Sequence, residues 1–400
     1  IIQNNMPYKE SKMTQEYKTK GYFSYLPISF FGACMGLSAI SVAWDKMTRL
    51  LQNLTINTEN LLAPTHNTNF LLSTLLANFS FALSVSFALL ALIAFIGLVS
   101  AYALKILSSF ESVKLEFVSP LTRPFFGTFF ISLLLLPFAL HRLGLPESLS
   151  LAVWVVGAVL MFIFSVHIVQ FWICNKLELS HITPAWIIPV VGLLDLPLAL
   201  PLFVDKVWVQ DFSFIIAGFC VGVGFFWSIV LCVLIFARIV FFEKLPEKLM
   251  PTLVILLAPF GAGVSAYAVF IRIPILSSID NSSYVQALIS LLNSTNNLDY
   301  ALFSIGLFLL FALLPQVFQI GKCCPFRISW WAISFPLAAM CIASFNIAES
   351  IASKSSALSG GAIFFSALSS MLLIAVTLTF IWLLMRTLRG IIKGELKNLA

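Results

Sequence analysis

The sequence predicts an all-α polytopic membrane protein with ten transmembrane helices, arranged as five helical hairpins around a central pore. Three observations lead to this prediction. Of the 400 residues, 60% are apolar and only 10% are charged, whereas soluble domains carry about 25% charged residues. Ten apolar stretches are each long enough to cross a bilayer, which takes ~20 residues. Prolines recur in alternate stretches, so bent and straight helices are expected to alternate along the chain.

This composition excludes a soluble enzyme, a nucleic-acid-binding protein and a disordered scaffold. So few charges cannot solvate a folded surface of this size, and lipid must cover most of it. The net charge of +6 comes from scattered basic residues and not from the kind of cluster that binds nucleic acid. No catalytic, cofactor or metal site is expected, because His, Asp and Glu are not gathered at any one place.

Each apolar stretch is expected to be helical, because a lipid-exposed segment must satisfy its own backbone hydrogen bonds. The stretches lack the alternation of polar and apolar residues that marks barrel strands. The fifth stretch contains four prolines and is expected to be bent or partly unwound. The expected spans are 27–45, 76–106, 124–142, 149–174, 184–204, 212–240, 250–271, 297–320, 328–346 and 360–385.

The distribution of Lys and Arg predicts the orientation of these spans. With the N-terminus in the cytoplasm, seventeen basic residues fall on the cytoplasmic side and six on the outer side, as the positive-inside rule requires. We expect a cytoplasmic tail over 1–25, a ten-helix transmembrane domain over 26–390 and a second cytoplasmic tail over 391–400. The expected location is a bacterial inner membrane or a plasma membrane. The outer loop 46–75, rich in Asn, Thr and Leu, is expected to be irregular and solvated.

Central prolines are expected to bend the third, fifth, seventh and ninth helices. A proline in a helix frees a backbone carbonyl, which the membrane tolerates only where protein or a water-filled cavity receives it. We therefore expect the odd-numbered helices to line a central passage. In the first helix, Gly32 and Gly36 are expected to supply the bend, and Ser334 is a further small residue of the lining. The four prolines are Pro137, Pro189, Pro259 and Pro336.

Aromatic and ionisable residues near the bends are the remaining candidates. A hydrophobic constriction gates by excluding water, and Phe260 and Phe335 both lie beside a bend proline; periodicity alone does not choose between them. Asp195 lies deep in the fifth span, where an ionisable residue is a functional candidate by default. It is a candidate coupling residue for a proton or a cation, or it lies near the outer mouth if the proline-rich half is unwound.

Four sequence motifs occur in order along the chain: FFGACMGLSAISVAW (30–44), LEFVSP (115–120), LAPFGAGVSAY (257–267) and WWAISFPLAAM (330–340). They resemble the tellurite-resistance/dicarboxylate transporter family, which includes bacterial TehA proteins and the plant slow-type anion channels. The resemblance runs over roughly 22–395, which is nearly the whole chain.

The resemblance implies a ten-helix protomer, a homotrimer with one pore in each subunit, and passage of small anions. It also implies that Phe335 plugs the pore, that Gly32 lines it, and that the prolines of the fifth, seventh and ninth helices bend the wall. Two positions depart from the family pattern. Cys34 stands where the first helix often has proline, and Asp195 would repel an anion unless it is protonated or turned away.

The predicted function is a gated anion channel that passes chloride, nitrate or a similar anion through an apolar pore occluded by a phenylalanine. The alternative is a secondary transporter for dicarboxylates or tellurite-related oxyanions, proton-coupled through Asp195. A membrane enzyme is a third class, but it calls for a cluster of His, Asp or Glu at the membrane interface. A twelve-helix carrier with two related halves is a fourth, and the number of spans separates it from the others.

Overall fold

The computed structural model describes residues 22–61, 67–242, 245–276, 298–354 and 359–394, and these residues form helices and short connections without a strand. Of the tails predicted over 1–25 and 391–400, residues 1–21 and 395–400 lie outside the described residues. The α-helices are Phe31–Leu61, Asn67–Ser108, Phe110–Val118, Phe126–Arg142, Glu147–Cys174, Ile188–Asp195, Val207–Phe241, Ala258–Leu276, Leu298–Cys323, Ser334–Lys354 and Gly360–Ile392. The 3₁₀ segments are Tyr22–Tyr25, Ile28–Phe30, Arg123–Phe125, Leu179–His181, Pro184–Ile187, Leu196–Phe203, Glu247–Leu257 and Ile328–Ile333.

Ten of the helical stretches in the described ranges are long and apolar enough to cross a membrane, as the sequence predicts. The all-α polytopic fold class is thereby confirmed. With ten spans, the described chain begins and ends on the same side of the membrane. We call this side, where the odd-numbered spans begin, the N-side, and the opposite side the C-side.

Odd-numbered and even-numbered spans differ sharply in burial. In the most apolar part of each odd span, 83, 72, 83, 72 and 78% of the residues are buried inside the protein. The corresponding values for the even spans are 28, 39, 33, 11 and 28%. The odd spans therefore form an inner layer, and the even spans cover that layer with side chains that face lipid. An apolar side chain is as well solvated by lipid as by protein, which is why the exposed faces carry Leu, Ile and Phe.

The five odd spans form a closed ring. The first span packs on the third, the third on the fifth, the fifth on the seventh, the seventh on the ninth, and the ninth returns to the first. Each even span packs against the odd span before it and the odd span after it, so it covers the seam between two members of the ring. The five predicted hairpins are thus pairs of one inner and one outer helix.

The prediction of an irregular loop over 46–75 is wrong for most of that range. The first helix continues as far as Leu61, and the second begins at Asn67, so only residues 62–66 between them are undescribed. Both helices therefore extend past the apolar part of their spans. Once a helix has formed, it extends into polar sequence at little cost, because each added residue contributes one backbone hydrogen bond.

Each odd span in the described chain begins as a 3₁₀ helix and continues as an α-helix. The fifth span changes twice: Pro184–Ile187 is 3₁₀, Ile188–Asp195 is α-helical, and Leu196–Phe203 is again 3₁₀. This confirms the prediction that its four prolines interrupt a regular helix, since each proline removes a backbone donor. The α-helical parts of the odd spans begin at Phe31, Phe126, Ile188, Ala258 and Ser334.

Candidate pore and its occlusion

A cavity lies among the N-side halves of the odd spans, and all five spans contribute to its wall. Its volume is about 30 Å³, which holds about two water molecules, since one needs ~10–15 Å³. A space of this size is too small for a hydrated ion. The lining residues are Ser29, Gly32, Met35, Phe125, Thr128, Ile131, Ile188, Val191, Ile255, Ala258, Ser329, Trp331, Ala332, Phe335 and Pro336.

Phe335 contributes its ring to this wall and is only 5% exposed. Within the described chain it makes no ring contact with another aromatic side chain. Nearby phenylalanines differ in this respect: the ring of Phe31 lies 5.0 Å from that of Phe129, and Phe129 lies 5.5 Å from Phe130. Rings in such pairs gain edge-to-face interactions that oppose movement. Phe335 lacks this particular restraint, and its side chain borders the small cavity.

Two of the three hydroxyl groups of the cavity wall, those of Thr128 and Ser329, donate to backbone carbonyl oxygens. Thr128 Oγ1 donates to the carbonyl oxygen of Phe125 at 2.6 Å, and Ser329 Oγ donates to that of Lys248 at 2.8 Å. No charged side chain of the described residues lines the cavity. The wall is therefore apolar, with hydroxyl oxygens but few free donors, and it resembles a hydrophobic constriction more than a tight binding site.

Gly32 and Gly36 lie one helical turn apart and have different surroundings. Gly32 lines the cavity, and a Cβ there would lie 3.8 Å from the carbonyl oxygen of Trp331. Gly36 does not line the cavity. A Cβ at Gly36 would lie 2.3 Å from Ser334 Oγ and 2.9 Å from the Phe380 ring, so this glycine permits close packing of the first span on the ninth. Ser334 is fully buried and donates to Trp331 O at 2.7 Å, so it also belongs to the packing and not to the lining.

Three of the predicted bend prolines mark the change from 3₁₀ to α-helix. Pro189 and Pro259 are the second residues of their α-helical segments, and Pro336 is the third residue of its segment. The first turn of an α-helix tolerates proline, because its N–H groups have no partner within the helix. Only Pro336 of these three lines the cavity. Pro137 differs, since it lies inside the helix Phe126–Arg142, more than two turns after the junction in its span.

The sequence profile of the family described as “Voltage-dependent anion channel” matches residues 25–388, nearly the whole chain. The chain belongs to the voltage-dependent anion channel family. This confirms the resemblance carried by the four motifs. All five odd spans, and hence the whole ring, lie inside the matched part.

The relatives of this member of the voltage-dependent anion channel family include archaeal and plant proteins. It is 29% identical over 227 residues to “Uncharacterized transporter MJ0576” of Methanocaldococcus jannaschii, covering 55% of this chain and 61% of that protein. It is 27% identical over 331 residues to “Guard cell S-type anion channel SLAC1” of Arabidopsis thaliana, covering 81% of this chain and 50% of the plant protein. It is 28% identical over 344 residues to “S-type anion channel SLAH3” of the same plant, covering 82% and 44%. The chain thus spans about half the length of these relatives.

Two further predicted residues of this voltage-dependent anion channel family member lie away from the cavity. Phe260 is half-buried and packs against Gly306 of the eighth span, so it faces outward from the ring. Asp195 ends the α-helical part of the fifth span and is completely buried. Neither of its carboxylate oxygens has a hydrogen-bond partner. The structure therefore brings together Gly32, Phe335 and Pro336, but not Phe260 or Asp195.

Ion pairs tie the ring together at both ends. On the C-side, Lys46 pairs with Glu349 of the ninth span at 3.0 Å, and Asp45 pairs with Arg142 of the third span at 2.8 Å. The first span is therefore held to both of its neighbours in the ring. A charged side chain near lipid requires an oppositely charged partner, because its surroundings solvate the charge poorly.

On the N-side, the short helix Phe110–Val118 supplies Glu116, which holds the start of the first span. Glu116 accepts a hydrogen bond from the Ile28 N–H at 2.8 Å and pairs with Lys105 at 2.7 Å. Lys105 also donates to the Leu26 carbonyl oxygen at 2.6 Å. This buried pair fixes the backbone that leads into the cavity wall at Ser29 and Gly32.

Most of the wall is made of residues that sequence reasoning did not select. Thr128, Ile131, Ile188, Val191, Ile255 and Trp331 line the cavity and are ordinary residues of apolar helices. One signal was available: the cavity follows the junctions between 3₁₀ and α-helix, and two of these junctions carry a proline in the second position. In the third span, the motif RPFFG around Pro124 marks the junction, whereas the more conspicuous Pro137 does not.

Proposed function

We propose that this protein is a gated anion channel whose passage runs along the axis of the five odd spans and is occluded by Phe335. The observation that carries the proposal is the convergence of all five odd spans on one apolar cavity, with the buried Phe335 in its wall. Membership of the voltage-dependent anion channel family supports it, as do relatives named S-type anion channels. Small anions such as chloride and nitrate are the proposed substrates.

The mechanism follows from the apolar wall and the small volume. In the described state, an anion would have to lose its water in a cavity without free charges, so the barrier is high. Rotation of the Phe335 ring away from the axis would join the cavity to the passage beyond it. A wall without strong donors binds anions weakly and therefore releases them quickly, which suits a conducting pore. Basic residues around the N-side mouth supply attraction at longer range.

Replacing the Phe335 ring tests this proposal. We expect Phe335→Ala to raise chloride and nitrate currents in planar bilayers, with Phe335→Leu giving a smaller increase. A barrier lowered by ~1.4 kcal/mol raises the rate tenfold, so an increase of at least about that size is expected for alanine. Phe345→Ala is the matched control, because Phe345 is in the same helix, is 1% exposed and does not line the cavity.

The control variant is expected to lose thermal stability without a gain in current. An unchanged current in folded Phe335→Ala protein would remove Phe335 from the gate. An equal gain in both variants would show that loosened packing, and not the ring at the constriction, controls passage.

A second candidate function is a proton-coupled secondary transporter for dicarboxylates or tellurite-related oxyanions, and Asp195 is the observation that favours it. A completely buried carboxyl without a partner in a wall-forming span is a suitable proton carrier. Liposome uptake of malate driven by a pH gradient, and lost in Asp195→Asn, would favour this carrier. A current that follows the Nernst potential and does not depend on the proton gradient would favour the channel.

The proposed assembly is a homotrimer with one passage in each subunit, inserted in a cell membrane with both termini in the cytoplasm. The ring of odd spans is complete within one chain, which supports a passage in each subunit. The excess of Lys and Arg in the loops of the N-side supports the orientation. Native mass spectrometry tests the number of subunits, and reporter fusions at both termini test their side.

A further inference from the structure

A second, larger space lies on the outside of the ring, between the fourth and sixth spans. It is a groove of about 350 Å³ whose two walls come from these outer spans. Val190 and Leu193 of the fifth span form its floor. Its rim is exposed: Phe162 and Val166 on one wall are 45 and 53% exposed, and Phe219 on the other is 51% exposed. Because both walls belong to membrane spans, the groove opens toward hydrocarbon.

The groove is apolar along its length and becomes polar only at its N-side end. Ser165 in its wall already donates to the Pro189 carbonyl oxygen at 2.7 Å. Gln170 and Trp227 lie at the N-side end, and the exposed Lys176 follows shortly after the fourth span ends at Cys174. An apolar groove that ends at polar groups and a cation matches a molecule with a hydrocarbon chain and a phosphate-bearing head.

Tryptophan rings cluster at that end of the groove. The Trp172 ring stacks on that of Trp186 at 4.9 Å, and it lies 6.3 Å from Trp227. An indole combines an apolar ring with a polar N–H, so these rings suit the part of a lipid where the hydrocarbon chain meets the head.

The floor of the groove is also part of the pore wall. The eight-residue helix Ile188–Asp195 turns Val190 and Leu193 toward the groove, and Ile188 and Val191 toward the axial cavity. Only the width of this helix separates the groove from the axial cavity. The Ser165 hydrogen bond to Pro189 joins the wall of the groove to the first turn of the same helix. A molecule in the groove therefore contacts the back of the pore wall.

We propose that the groove binds one acyl chain of a membrane phospholipid, and that this chain supports the short helix of the pore wall. The proposal that a lipid binds in the groove does not depend on the proposed function. The proposal that this lipid affects the pore rests on the proposed anion channel. A helix from a second copy of the chain is the competing occupant, and the experiment distinguishes the two.

Filling the groove with a side chain tests the binding. Val223→Trp places an indole in the groove from the sixth span. Ile229→Trp, on the same helix, 63% exposed and outside the groove, is the matched control. The proteins are purified in mild detergent from phosphatidylethanolamine and phosphatidylglycerol membranes, and native mass spectrometry counts the phospholipids retained by each protomer. Val166→Trp, on the opposite wall, is the second variant if Val223→Trp does not fold.

Wild type and Ile229→Trp are expected to retain one more phospholipid in each protomer than Val223→Trp. The mass of the retained molecule separates a phospholipid from a free fatty acid. Equal lipid counts in all variants would overturn the proposal, and a loss of oligomers without a loss of lipid would assign the groove to a second copy. Channel currents are recorded separately in the Phe335→Ala background: a severalfold change on adding Val223→Trp, and not on adding Ile229→Trp, supports coupling to the pore. If the Phe335→Ala protein does not conduct, the proposed function fails while the lipid count stands.

Discussion

The pair Gly32 and Gly36 provides a sharp test of how the first span meets the ninth. Alanine at Gly36 would bring a methyl group to 2.3 Å from Ser334 Oγ and 2.7 Å from Ser334 Cβ, with the Phe380 ring at 2.9 Å. Real side chains do not approach so closely, so Ser334 or the helix must move. Alanine at Gly32 meets nothing nearer than 3.8 Å, which is ordinary contact.

The difference between the two variants reports the cost of the contact. Alanine gains up to ~0.8–1.0 kcal/mol of helix propensity at Gly36, inside the helix, and less at Gly32, in its first turn, so propensity favours Gly36→Ala and works against the expected order. Overpacking of a well-packed site costs ~1–3 kcal/mol. We therefore expect Gly36→Ala to be less stable than Gly32→Ala by ~1–3 kcal/mol. Ser334→Gly added to Gly36→Ala should recover part of that loss, because it removes two of the three close contacts.

Thermal unfolding in detergent, followed by fluorescence-detected size-exclusion chromatography, measures this difference. Currents give a second readout. Gly32→Ala adds a methyl group to a cavity of about 30 Å³ and is expected to reduce the current of the Phe335→Ala background. If Gly36→Ala is as stable as Gly32→Ala, the first and ninth spans do not cross as closely as described.

Two further substitutions test the buried charges. Glu116→Gln is expected to lower stability by ~3–5 kcal/mol, because it leaves the buried Lys105 charge unpaired; adding Lys105→Met should restore most of it, and thermal unfolding of single and double variants measures both. Asp195→Asn is expected to retain or increase stability and to leave the channel current unchanged, since it removes a buried carboxyl that has no partner. A clear loss of current in well-folded Asp195→Asn protein would contradict the expectation that the channel does not need this carboxyl.

The inner and outer layers could be predicted from the sequence because their helices differ in composition. Central prolines recur in the odd stretches, whereas the only proline of the even stretches is Pro315, near the end of the eighth. A freed carbonyl must be kept from lipid, so this pattern places the odd spans inside, and the measured burial agrees. The extension of the first two helices beyond 46–75 could not be predicted in this way, because polar residues such as Asn53 fit an exposed helix as well as a loop.

The composition of the wall could be predicted only in part. Gly32, Phe335 and Pro336 were candidates because a glycine, a ring and a proline stand out in an apolar helix, but only the family resemblance favoured Phe335 over Phe260. Gly36 was assigned to the lining from its type, yet it is used for packing. Phe260 follows a bend proline as an aromatic residue but faces outward. A helical position two or three residues away points in a different direction, and the rotation of each span about its own axis is not encoded in a local motif.

By itself, the sequence determined that this chain lies in a membrane, that it has ten helical spans, and that alternate spans carry central prolines. These properties follow from hydropathy and proline content, which act along the chain. Only the tertiary structure decided which side chains meet at the axis, that Phe335 lines a cavity of about 30 Å³ there, and that one short helix has this cavity on one face and a lipid-facing groove on the other. Those properties depend on how five helices rotate and cross when they pack, and packing is set by contacts between residues far apart in sequence.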